Sequence, residues 1–262
     1  MLLKYKQFKN NFLRKIISKL SARLDYFEQC STLPKITYTP EISECEQEKY
    51  YLKYLNPNLK NYPGIVCPYL HTLLKVLYHN KKFNLLDYGA RNLDNFAFLN
   101  SMMPGLQYYY RDLPEYNVII EKFRNKHVID NLYVINDDEN IKDIAIDFVF
   151  MGSVLQYLEN YKETLKFIFD SNPKYIFLSG QNCYENQIST AEYIIYRQLN
   201  VLPQINYGLF FHFESLKKFF KSHGWNLETV SKTNFDSLRN FKGIDKKVGF
   251  INNLDLLFKR LD

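Results

Sequence analysis

From residue 83 onward, short apolar runs of strand length alternate with segments whose apolar residues recur at helical spacing. The runs 83–88, 107–112, 131–135, 146–151 and 174–179 predict strands. The segments between them, about 93–102, 115–126, 138–144 and 160–170, predict helices. Such alternation is the pattern of a parallel α/β sheet. A helix is also expected over 67–80, where Leu70, Leu73, Leu74 and Leu77 form one apolar face and Pro68 falls in the first turn. After 181 the pattern lapses into an irregular insertion that runs to 213. A helix at about 214–222 follows, closed by Gly224. Two strand-like stretches come last, about 225–232 and 248–259, with Asn252-Asn253 as a candidate turn splitting the second.

Before residue 64 the pattern differs. Tyr5, Phe8, Phe12, Ile16 and Leu20 recur at helical spacing, and Lys and Arg fill most of the other face. A basic amphipathic helix of this kind can attach to an anionic membrane surface. Packing against its own domain or a partner is the commoner use, and the weight lies there. The segment lacks the features of a secretory signal, and no apolar run reaches the length of a membrane span. Residues 31–63 read as a linker and lid, punctuated by Pro34, Pro40, Pro57 and Pro63, with a short helix over 47–55 carrying Tyr50, Tyr51 and Tyr54. The chain therefore divides into 1–63 and a domain over 64–262.

Charge sharpens this division. The chain carries 34 Lys and Arg against 28 Asp and Glu. Six of the basic residues stand within 1–20, which holds no acid, so the body is balanced. A balanced body argues against a nucleic-acid partner. The four cysteines are scattered, with no CxxC or Cys/His cluster, which argues against a zinc site and fits a reducing, cytoplasmic setting. No carboxylate cluster stands out for a metal. The nucleophile elbow of hydrolases and the P-loop are absent.

Four places can carry chemistry. The run Phe83 to Tyr88 leads through Gly89, Ala90, Arg91 and Asn92 into a helix start, an order that sets a helix N-terminus beside a ligand. Asp112 stands 25 residues after Asp87, at the end of the second strand. An acid there can accept hydrogen bonds from both ribose hydroxyls of a nucleoside cofactor, or it can cap the turn before Leu113-Pro114. Asp137 follows the third strand and can cap the next helix. The fourth strand ends Met151-Gly152-Ser153-Val154-Leu155-Gln156-Tyr157-Leu158, where small residues let a ligand approach the backbone.

Taken together, Leu86-Asp87-Tyr88-Gly89, Ser153 to Leu158, Pro173 to Leu178 and Phe213-Glu214-Ser215-Leu216 to Gly224-Trp225 resemble class I methyltransferases. The resemblance is to a group associated with bacterial surface-polysaccharide biosynthesis, and covers about 64–260. It departs in the glycine loop, where Ala90 replaces a second glycine and Arg91 follows. The resemblance implies a Rossmann-like α/β fold, a mostly parallel seven-stranded sheet ending in an antiparallel hairpin. It implies S-adenosyl-L-methionine (SAM) as cofactor, held by Asp87, Gly89, Ala90, Asn92, Asp112, Leu113, Asp137, Gly152, Ser153 and Gln156, with Asp137 meeting the adenine amino group. It implies O-methyl transfer to a small molecule or saccharide contacted by Gln181, Asn182, Tyr184 and Tyr207. His212 is the candidate base, since its unperturbed pKa suits that role, although flanking the next helix is its commoner use. The rival reading is a non-catalytic relative that keeps the fold as a scaffold.

Overall fold

The computed structural model describes residues 27–32, 52, 68–185, 191–198, 206–232, 248 and 251–261. The basic helix over 2–20 and almost all of the lid over 31–63 lie outside the described residues. In chain order the elements are β1 (Phe27–Cys30), α1 (Pro68–Tyr78), β2 (Phe83–Tyr88), α2 (Asp94–Met102), β3 (Leu106–Arg111), α3 (Pro114–His127), β4 (Leu132–Val134), β5 (Phe148–Gly152), α4 (Tyr161–Asp170), β6 (Tyr175–Tyr184), β7 (Tyr193–Gln198), β8 (Asn206–His212), α5 (Phe213–Ser222), β9 (Trp225–Lys232) and β10 (Ile251–Arg260). Short 3-10 helices at Asp138–Asp143 and Leu155–Tyr157 follow β4 and β5.

Seven strands lie in the order β4-β3-β2-β5-β6-β10-β9. The first five are parallel, while β10 runs antiparallel between β6 and β9. This is the expected Rossmann-like sheet with its terminal hairpin. Successive residues of β2 and β5 face opposite sides, as the pleat requires. Leu85, Phe148 and Phe150 join a core with α1, α2 and α3, whereas Leu86, Val149 and Met151 join one with α4 and α5. Both faces are covered, so these strands are apolar throughout, as buried parallel strands are.

In its described residues the expected irregular insertion instead carries strands. β6 runs on to Tyr184, and β7 and β8 pair antiparallel, with β1 on the far edge of β7. The register explains how. Gln181 pairs with Leu254 and Leu178 with Leu256, so β6 holds one residue more than β10 in that interval. The extra residue is a bulge at Ser179-Gly180, with Gly180 in left-handed backbone at φ 67°. Asp255 stabilises it, accepting from Ser179 Oγ at 2.7 Å and from the Gly180 N–H at 2.9 Å. Beyond Gly152, where β5 stops, the same edge of β6 takes up β8 at Cys183 and Tyr184. The added strands therefore stand over the carboxyl end of β5. Asn252-Asn253 is no turn. It lies within β10, where the Asn253 amide donates to the Gly180 carbonyl and to Asn182 Oδ1, both at 2.9 Å.

Candidate functional site

The carboxyl ends of β2, β3 and β5 leave the sheet side by side, because Tyr88 pairs with Arg111 on one side and Met151 on the other. Left-handed backbone gathers at the strand exits: Gly89 (φ 74°), Arg91 (φ 55°), Ser153 (φ 53°) and Gly180. At the opposite end of the sheet, Asn80, Val128 and Asn172 take the same conformation just past the ends of α1, α3 and α4. At Asn80 and Asn172 this is an ordinary helix termination, while the β-branched Val128 is strained there. Arg91 and Ser153 hold a costlier conformation for a residue with a Cβ, which marks the rim as specialised.

Gly89 is fixed by two constraints. Its φ favours glycine, and a Cβ there would lie 2.4 Å from Val154 Cγ2. The loop after β2 thus closes onto the loop after β5. Its other side is tied to β3: the Gly89 N–H donates to the Arg111 carbonyl at 2.7 Å. The Arg91 N–H donates to Asp112 Oδ2 at 2.5 Å, and the Leu113 N–H to Asp112 Oδ1 at 2.6 Å. Asp112 is therefore both the acid at the end of β3 and the clasp of the glycine loop. Burial pushes its carboxyl up, while those two hydrogen bonds, then Arg111 and Arg91, pull the other way. The Arg91 side chain is exposed. Asn92 accepts the Asp94 N–H at 2.9 Å and so opens α2. Leu113 is exposed beside the rim.

Behind the loop, Asp87 is wholly enclosed. It accepts from Asn95 Nδ2 at 2.9 Å and from the Tyr108 hydroxyl. Burial raises its carboxyl to about 6, against those two hydrogen bonds, and the Asp112 charge adds to the rise. Asp87 is thus a support for the loop rather than a group on its surface. Asn95 in turn lies 3.3 Å from His71 Nε2.

Several supporting residues escaped the sequence reading. The buried Asn117 of α3 accepts the Asp112 N–H and donates to the Ile135 carbonyl, both at 2.9 Å, joining the exits of β3 and β4. Its signal is a polar residue amid the buried face that Tyr116, Ile120 and Phe123 define. Arg111 pairs through Nε with Asp138 Oδ1 at 2.5 Å and donates to the Asp112 carbonyl, while the Tyr88 hydroxyl donates to Asp138 Oδ2 at 2.7 Å. Asp137, next to this pair, is exposed and caps the 3-10 helix by accepting the Glu139 N–H at 3.0 Å.

On the β5 side, the Ser153 N–H donates to the Ser179 carbonyl at 2.7 Å, and its hydroxyl lies 3.5 Å from the Gly180 carbonyl. A Cβ on Gly180 would lie 2.2 Å from Ser153 Oγ. Gln156 is 3% exposed with Oε1 unpartnered, and Gln181 is 1% exposed with Nε2 unpartnered, among the described residues. A buried amide atom without a partner is costly, which points to a ligand group that completes it. Other residues of the expected substrate set are placed differently. Tyr184 is fully enclosed with Ile194, Tyr196 and Phe210, and its hydroxyl donates to the Ala191 carbonyl at 2.8 Å. Asn182 is held by Asn253, and Tyr207 is half-buried in β8. His212 caps α5: its Nδ1 accepts the Ser215 N–H at 3.3 Å and lies 2.8 Å from Ser215 Oγ.

No group of three or more His, Cys, Asp or Glu able to hold a metal occurs among the described residues. None of their helices is long and apolar enough to cross a membrane.

No protein-family model matches the chain, and no curated protein matches it in sequence. Solved structures resemble it in fold. The [4+2]-cyclase SpnF is 10% identical, with 73% of this chain and 80% of that one covered, at a TM-score of 0.50. A Burkholderia thailandensis 1,6-didemethyltoxoflavin-N1-methyltransferase, with bound 1,6-didemethyltoxoflavin and S-adenosylhomocysteine, is 12% identical over 90% of this chain and 100% of that one, at 0.47. The CcbJ methyltransferase from Streptomyces caelestis is 10% identical over 74% and 88%, at 0.45. Likeness at such identity speaks for fold alone. The strand order and terminal hairpin stand independently: the chain has the Rossmann-like class I methyltransferase fold.

Proposed function

We propose that the chain is a SAM-dependent methyltransferase acting on a small molecule, with an oxygen of a glycan precursor as the acceptor class. The observation that carries this reading is the position of Asp112: an acid at the exit of β3, bonded to the glycine loop of β2. Each of its oxygens has a second lone pair available, so the two backbone bonds leave acceptor capacity for a pair of ribose hydroxyls. Gly89, Ala90 and Asn92 would border the cofactor on the loop side, with Leu113 and Asp137 on the adenine side. Gly152 and Ser153 would border the methionine part, and the unpartnered Gln156 Oε1 would accept from its ammonium group. The buried, unpartnered Gln181 Nε2 would donate to an acceptor oxygen, with Asn182 and Tyr207 nearer the entrance. Tyr184 would act by supporting this wall.

The bound cofactor supplies a methyl group on a positively charged sulfur. The protein then has to align the nucleophile with that methyl, which is mainly a matter of proximity and orientation. His212 would serve as base only by turning from its capping role, so alignment carries the larger share of this proposal. A second reading is favoured by one observation, the use of both Asp112 oxygens by backbone N–H groups. In it the clasp is purely structural and the fold serves as a scaffold.

Calorimetric titration with SAM and S-adenosylhomocysteine, on the wild type and on Asp112→Asn and Asp112→Ala, separates the two. Micromolar binding, weakened by about tenfold or more in both variants, supports the enzyme. A folded wild type that binds neither ligand at millimolar concentration overturns it in favour of the scaffold.

A further inference from the structure

The second edge of β9 is open among the described residues, since β9 pairs only with β10. Trp225 is buried and Asn226 and Leu227 are half-buried, but the five residues from Glu228 to Lys232 are all exposed. The change coincides with a second bulge. Thr229 pairs with Leu257 and Leu227 with Phe258, so β9 carries an extra residue at Glu228. From there the strand has one edge unpaired among the described residues, and its side chains are exposed. Val230 is 47% exposed, and on the other face the Tyr69 hydroxyl lies 3.2 Å from Thr229 Oγ1.

An exposed edge is a template for another strand. Which strand fits follows from the sequence Glu228-Thr229-Val230-Ser231-Lys232. It is self-complementary about Val230. Antiparallel pairing with Val230 opposite Val230 sets Glu228 against Lys232 twice and Thr229 against Ser231 twice. Opposite charges and hydroxyl pairs directly across an antiparallel ladder both stabilise it. Of the antiparallel registers, only this one places Glu228 directly opposite Lys232. An in-register parallel alignment sets like charges side by side. Neither charge takes part in an ion pair among the described residues. Charges on an edge ordinarily discourage pairing, but here their symmetry about one apolar residue favours a single register with a two-fold axis.

We propose that two copies of this chain associate edge to edge through β9, antiparallel, with Val230 on the two-fold axis. The partner is a second copy because the strand's charge pattern matches its own reverse. The two sheets then continue into one another, and the strand exits of each copy stay on its own side of the axis.

Sedimentation equilibrium of the full chain over a wide concentration range tests this with a charge-exchange cycle. Wild type is expected to form a reversible dimer. Glu228→Lys and Lys232→Glu each place two like-charge pairs across the axis, and each is expected to raise the dimer Kd by about tenfold or more. The double variant restores both attractive pairs with sign reversed, and its Kd is expected within about threefold of wild type. Circular dichroism melts establish that each variant is folded, and Val230→Asp serves as a further disrupting variant at the axis. A wild type that is monomeric at the highest concentration, a dimer indifferent to both single exchanges, or a double variant as weak as the singles overturns the proposal.

Discussion

The Arg91 N–H donates to the Asp112 carboxylate at 2.5 Å, so the acid leaving β3 holds the loop leaving β2. Loop and acid form one unit. Asp112→Ala removes the acceptors of both the Arg91 and Leu113 N–H groups and is expected to destabilise the fold by about 1–3 kcal/mol. Asp112→Asn keeps one acceptor oxygen and is expected to lose about half of that. Urea unfolding of the three proteins gives the comparison. Equal stability of Asp112→Ala and wild type would mean that the clasp contributes nothing.

Asp87 makes stability depend on pH. Its carboxyl titrates at about 6 in the folded chain against a reference of 3.8, because burial disfavours the charge. Below the reference value both states are protonated and the group has no effect. As pH rises from about 4 to about 6, the unfolded chain ionises first, and stability falls until the folded group ionises too. The loss is then constant and amounts to about 3 kcal/mol at most. Asp87→Asn removes this dependence. The stability difference between variant and wild type should shift in the variant's favour across that window and flatten above it, as followed by urea midpoints at closely spaced pH values.

Gly89→Ala introduces a Cβ 2.4 Å from Val154 Cγ2 at a φ of 74°. The combined clash and strain are expected to cost about 2–4 kcal/mol. Val154→Ala in the same chain removes the two methyl contacts but leaves its own Cβ at 2.7 Å and the strain at φ 74°, so the double variant should regain part of the loss. Thermal melts of the singles and the double measure this coupling.

Val128 points the other way. It ends α3 at φ 50° and ψ 59°, is 77% exposed, and its N–H donates to the Arg124 carbonyl. A β-branched residue in that conformation is strained, and its side chain has little packing to lose. Val128→Gly is expected to stabilise the protein by about 1 kcal/mol and to raise its Tm by a few degrees.

The strands β2 to β5 and the last hairpin were legible because each is a local apolar run between turn residues. The turns at Gly89, Asp112 and Ser153 were legible for the same reason, since each closes a local apolar run. β7 and β8 were not. Their alternation is blurred where Ile194-Ile195 and Leu209-Phe210-Phe211 put apolar residues on both faces, and β8 pairs with a part of β6 that lies beyond the end of β5, a partner distant in sequence. The residues behind the site were hidden in another way. Arg111 and Asp138 lie 27 positions apart, and Tyr108 reaches Asp87 across two strands. Nothing in the local pattern ties such partners together.

The bulge at Ser179-Gly180 also sets a rule for how this stretch can change in length. Before it, Ile176 and Leu178 face the α4–α5 core. After it, Cys183 faces that same core, with Tyr184 turned away. Removing one residue between Leu178 and Cys183 would erase the bulge and leave both on the same face of a plain strand, whereas adding one would exchange the faces beyond it, sending a tyrosine into a space sized for cysteine. Insertions that a surface loop absorbs with little effect would here misplace Cys183 and Tyr184, the residues that pair with β8. This segment can lose its extra residue without turning a face over, but it cannot gain one.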